Sequence, residues 1–197
     1  MYPKTRIDAL TDGVFAVAMT ILILDVRLPD GFHPGDQMAL GQALKNLFPK
    51  FLPYVVSFYV LGSSWLANIK LRSGGEFVNK LYAVAWLLYL LLATCIPFST
   101  SVVGKFAQFS VSVWLYSLNM AALAAASYAL LVLLPDRAND EHTLDRKVSI
   151  VVLITTAALC AALSLISPEK ALWIYVLNAT TGPLARWIGR QPGKRVS

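Results

Sequence analysis

The residues best placed to do chemistry stand at the head of the first apolar stretch, Arg6 to Pro29, where Arg6, Asp8, Thr11 and Asp12 precede an almost wholly apolar run. Asp8 and Asp12 are one helical turn apart, a spacing that could pass a proton between carboxylates inside a membrane. Asp8 is expected near the headgroups, which disfavours such a relay. An ionised Asp near the middle of a span costs about 2.5–3.5 kcal/mol on insertion scales, so Asp12 needs a protein or water partner. Elsewhere no nucleophile and base, carboxylate pair or metal cage shows a recognisable spacing, which argues against an enzyme. His33 and His142 lie in hydrophilic stretches and are expected to be solvated, not ligands. Cys95 and Cys160 sit in separate apolar runs without CxxC spacing, and are expected to be packed thiols with no metal or disulfide role. Nothing in the pattern calls for a cofactor.

At about 100° per residue, Val17, Thr20, Ile21 and Leu24 fall in one sector roughly 100° wide, with Asp12 about 140° from Val17. Spacing alone leaves two readings open, a stripe for ordinary helix packing and a stripe that lines something. If several copies surrounded an axis, Val17, Ile21 and Leu24 would form stacked apolar rings over about 10 Å. Thr20 would add a ring of hydroxyls able to replace hydration water. One subunit cannot supply such rings.

The elements that must position these residues are membrane helices. Of 197 residues 57% are hydrophobic and 14% charged, and the mean hydropathy is +0.60, which indicates an all-α polytopic protein embedded in a lipid bilayer. Arg6 to Leu28 would rise about 34 Å as a helix, enough to cross a hydrocarbon core of roughly 30 Å. This first stretch is too long for the apolar part of a cleavable signal, so it is expected to remain as a span. The pattern predicts a single domain over 1–197 with six transmembrane helices, at approximately 6–28, 49–69, 77–98, 106–134, 148–166 and 171–188. Gln37 to Asn46 is expected as a short amphipathic helix on the membrane surface. Pro53 falls in the first turns of the second span, and Pro97 is expected to stop the third before Ser99, Thr100 and Ser101. Asn119, at depth in the fourth, needs an interhelical partner. Pro135 to Lys147 reads as a solvated connection, and Gly182-Pro183 interrupts the sixth span. The net charge of +6 does not imply nucleic acid, because the basic residues cluster at helix ends. Twelve of the seventeen Lys and Arg fall on the side of the N-terminus, which places both termini in the cytoplasm.

The first helix resembles the bacterial branch of the transmembrane protein 175 family, the endosomal and lysosomal potassium channels. That family's mark is R-x-x-x-F-S-D followed by a G-V-F-A-I-A-like run. Here the chain reads Arg6, Leu10, Thr11 and Asp12 in those positions, then Gly13-Val14-Phe15-Ala16-Val17-Ala18, and closes on Leu24-Asp25-Val26-Arg27-Leu28-Pro29. The second span is similar to the family pattern at Ser57-Phe58 and Trp65. The chain departs from the pattern in two places: in the first helix Leu10 for Phe removes an aromatic surface while Thr11 for Ser keeps the hydroxyl, and in the second Asn68-Ile69 stand where relatives often carry His.

The resemblance implies a homotetramer in the cell membrane that conducts potassium ions through a pore lined by the first helix, with no carbonyl filter. By position it assigns the apolar constriction to Val17, Ile21 and Leu24 and a hydroxyl layer to Thr20. Arg6, Thr11 and Asp12 become structural polar groups, with Trp65 and Asn68 as their partners. Two other classes remain as alternatives: a non-conducting membrane scaffold whose stripe is a subunit interface, and a proton-coupled transporter using Asp8 or Asp12.

Overall fold

The computed structural model describes residues 2–70, 77–133 and 141–180. Strand β1 (Tyr2–Pro3) leads into α1 (Lys4–Ile21), whose end tightens into a 3-10 turn, Leu22–Asp25. There follow α2 (Gln37–Lys70), β2 (Phe77–Val78), α3 (Lys80–Lys105), α4 (Ser110–Val132), α5 (Glu141–Leu163), the short α6 (Pro168–Ala171) and a 3-10 helix, Leu172–Thr180. Among the described residues five segments are long and apolar enough to cross a membrane: Lys4–Asp25, Lys50–Ile69, Lys80–Lys105, Ser110–Val132 and Arg146–Leu163. The sixth expected span begins at α6 and the 3-10 helix; the rest of it, 181–188 with Gly182 and Pro183, lies outside the described residues.

Three local expectations are corrected. The surface helix expected at Gln37–Asn46 and the second span are one continuous α2, begun by Asp36, whose Oδ1 accepts from the Ala39 amide at 2.7 Å. The third helix does not stop at Pro97 but runs eight residues further, to Lys105. A proline removes one amide donor, whereas ending a helix at lipid depth would expose several backbone groups with no water to satisfy them. The hydroxyls after Pro97 fold back instead, Ser99 and Thr100 both donating to the Ile96 carbonyl at 3.1 and 2.7 Å. Within Pro135–Lys147, the part from Glu141 belongs to α5, not to a connection, and the part before it lies outside the described residues. A turn follows the first span: the Phe32 amide donates to the Pro29 carbonyl at 3.1 Å, with Gly31 supplying the positive φ of 77°.

Helix α3 is the hub, packed against α1, α2 and α4, while α5 packs against α4. Its buried face offers Tyr82, Trp86, Tyr89, Ala93 and Ile96, against Phe15, Ala18 and Leu22 of α1 and Val60 and Leu61 of α2. Two short antiparallel pairs, Tyr2 with Val78 and Pro3 with Phe77, tie the entrances of α1 and α3 together, so these helices run parallel. Polar groups stitch the remaining seams. Because Thr100 donates its one hydroxyl hydrogen to Ile96, it accepts from Ser57 at 2.7 Å, and Ser57 in turn accepts from Tyr116 at 2.9 Å. Asn119 donates to Ser99 at 3.0 Å.

Ser57→Ala leaves the buried Tyr116 hydroxyl without its acceptor. It should lower stability by about 1 kcal/mol, visible as a reduced midpoint of thermal unfolding in detergent, with no change in secondary structure by circular dichroism.

Candidate functional site

Helix α1 has two faces of different chemistry. Thr11, Phe15, Ala18 and Leu22 point into the subunit. Val17, Thr20, Ile21 and Leu24 point out of it, Val17 at 57% exposure and Leu24 at 66%. The outer face continues into an apolar groove of about 760 Å³ between α1 and α3, walled by Gly13, Val17 and Ile21 on one side and Thr94, Pro97 and Phe98 on the other.

Local winding explains how Leu24 joins this face. The helix tightens to three residues per turn after Ile21, so residues three apart eclipse and Leu24 stacks over Ile21. Thr20 donates its hydroxyl hydrogen back to the carbonyls of Ala16 and Val17, at 3.0 and 2.9 Å. Its oxygen lone pairs are therefore the part of the group left for an outside partner, and they can only accept. That suits a cation and not an anion.

The inner face is held by two tryptophans. Trp86 of α3 donates its indole N–H to Thr11 at 2.7 Å, and Thr11 donates to the Ile7 carbonyl at 2.7 Å. Trp65 of α2 donates to Asp12 Oδ1 at 2.8 Å, across 53 residues of sequence. Asp12 is half-buried and makes a further interaction beyond Trp65, as Asp8 also makes one. Asn68 does not reach α1: its amide donates to Tyr89 of α3 at 3.1 Å. Arg6 stays exposed on a groove shared with Leu10 and Lys80.

Sequence reasoning missed Trp86, Tyr89 and Arg146. The first two stand with Tyr82 at the i, i+4, i+7 spacing of one helix face, a stripe that was available to find them. Arg146 carries no such signal. Taken from sequence as one of the basic residues at a helix end, it is only 4% exposed and bonds Ser127 of α4 through Nε and Nη2, at 3.2 and 2.9 Å.

A family model described as endosomal/lysosomal potassium channel TMEM175 matches residues 6–97, which hold most of α1, all of α2 and most of α3. A Streptomyces collinus protein named a potassium channel is 35% identical over 134 residues, covering 66% of this chain and 64% of the relative. Over these residues the chain is similar to the TMEM175 family. A Gallus gallus relative named endosomal/lysosomal proton channel TMEM175 is 30% identical over 110 residues, 53% of this chain and 22% of that protein. The chain thus matches less than two thirds of the length of these relatives. The crystal structure of a lysosomal potassium-selective channel TMEM175 homolog from Chamaesiphon minutus shares the fold with a TM-score of 0.74, at 24% identity over 92% of this chain and 97% of that one. The TMEM175 match contains both faces of α1 and both tryptophan anchors.

Trp86→Phe keeps the ring in the core and removes its bond to Thr11. The unfolding midpoint in detergent should fall by the equivalent of about 1–2 kcal/mol. Trp65→Phe should do the same at Asp12, and the double variant should lose close to the sum if the two anchors act independently.

Proposed function

We propose that this chain is the subunit of a potassium-selective cation channel, a homotetramer of the cell membrane with both termini in the cytoplasm, in which α1 lines the pore. The observation that carries this reading is the outward face of α1, where three apolar side chains and one hydroxyl follow one another along the helix while both tryptophan-bound groups, Thr11 and Asp12, are held from the other side. Around a shared axis, Val17, Ile21 and Leu24 make an apolar constriction about 10 Å long. A narrow apolar ring excludes bulk water and forces an ion to shed part of its shell, and Thr20 supplies oxygen ligands at the same depth. Potassium is dehydrated at lower cost than sodium, so such a constriction favours it.

The relatives' names support the same class of activity, a potassium channel in Streptomyces collinus and a proton channel in Gallus gallus. The bond from Trp65 to Asp12 supports an anchoring role for this carboxylate, in preference to that of a proton carrier in a coupled transporter.

Liposomes loaded with potassium or sodium and containing the purified protein provide the test. Potassium efflux should exceed sodium efflux, and Ile21→Ala or Leu24→Ala should bring the two rates together by widening the ring. No efflux from a folded oligomer would favour the scaffold; equal efflux of both ions from the parent protein would remove potassium selectivity.

A further inference from the structure

The far end of α1 is held by an ionic contact distinct from the tryptophan anchors. Asp25 Oδ1 accepts from Ser101 Oγ at 2.8 Å and from Lys105 Nζ at 3.0 Å, both on the last turn and a half of α3. These residues are 76 and 80 apart in sequence, so the contact joins two elements and not one loop. The entrances of the same two helices are already tied by the pairing of β1 with β2. Helices α1 and α3 are therefore fastened at both ends, and Asp25 is the fastening nearest to Leu24.

An exposed Lys–Asp pair alone contributes little, about 0–1 kcal/mol. Here one carboxylate oxygen takes two donors, and it holds the end of a segment whose other hold is the buried Leu22 at its start. The 3-10 turn Leu22–Asp25 has no side-chain capping bond, and its end is closed by one backbone bond, from the Val26 amide to the Ile23 carbonyl at 3.0 Å. With three residues per turn, Leu22 and Asp25 eclipse on the side facing the subunit. Leu22 is buried at 1% exposure and Asp25 is tied to α3, which leaves Ile23 and Leu24 turned outward at 41% and 66%. Relaxing this turn to α-helical winding would rotate Leu24 by about 40° relative to Leu22 and shorten their axial separation by about 1 Å.

We propose that Asp25, clamped by Ser101 and Lys105, is the positioning residue for Leu24, holding the tight turn that keeps this side chain at the end of the conduction face. The inference rests on the channel reading above and adds to it the group that sets the geometry of its last ring. The clamp acts through the backbone of the turn and touches no ion. A further basic residue, Lys50 of α2, lines the same small recess as Asp25 and Lys105.

The test uses the full chain in liposomes and two independent readouts, with variants Asp25→Ala, Lys105→Met and the conservative Asp25→Glu. Hydrogen exchange of the 23–26 amides should speed up about tenfold in Asp25→Ala, less in Lys105→Met, which keeps the Ser101 bond and is the variant expected to fold in any case. Asp25→Glu should stay near the parent. The potassium-to-sodium permeability ratio from reversal potentials should fall in the same order while the oligomer is unchanged. Normal exchange in Asp25→Ala would overturn the clamp, and faster exchange with an unchanged permeability ratio would overturn its role in placing Leu24. A parent protein that passes no cation would remove the channel reading and with it the positioning role, while the exchange experiment by itself still decides whether the clamp exists.

Discussion

Lipid offers no hydrogen bonds, and the inner face of α1 carries polar groups that must have them. Thr11 and Asp12 sit within the first candidate span, so each needs a donor or acceptor from the protein itself. Trp86 and Trp65 supply these, one from each helix that flanks α1. An indole suits the task because it presents a large apolar ring to the core and a single directed N–H to its partner. Once those two bonds form, the rotation of α1 about its own axis is set. Which residues face away from the subunit then follows without further choice.

The same constraint explains why α3 is the hub. A helix at the centre of a membrane subunit gains no hydrophobic driving force from lipid-facing neighbours, so packing and interhelical hydrogen bonds hold it. Helix α3 meets Thr11 of α1 through Trp86, Asn68 of α2 through Tyr89, and Asn119 of α4 through Ser99. Its continuation through Pro97 extends this role: the turn beyond the proline carries Thr100, Ser101 and Lys105, which engage α2 and the end of α1. A helix that stopped at Pro97 would leave those partners without their anchor.

Division of labour along α1 is the functional result. Its inner face is fixed by polar bonds and a packed stripe of Phe15, Ala18 and Leu22, and its outer face is left apolar with one acceptor group. A rigid helix with an unencumbered outer stripe is the minimum a lined conduction path needs from each subunit. Placing the outward-facing groups on a helix and not on a loop also keeps their spacing regular.

The sequence determined the membrane class, the all-α architecture, the positions of the long helices and the stripe of Val17, Thr20, Ile21 and Leu24, because hydrophobic run length and helical period are local properties that a chain carries in its order of residues. It also marked Asp12 and Asn119 as groups in need of partners, since an intramembrane polar side chain is conspicuous wherever it occurs. Tertiary structure decided who those partners are. Trp65 reads equally well as an interfacial anchor until α2 is laid beside α1, and Arg146 reads as one more basic residue at a helix end until α5 packs on α4 and carries it into the interior. The passage of α3 through Pro97, the continuity of α2 and the 3-10 turn that aligns Leu24 with Ile21 were likewise outside local reach. Each depends on bonds between residues tens of positions apart, or on the absence of water at that depth, and neither is written into the propensities of the residues concerned.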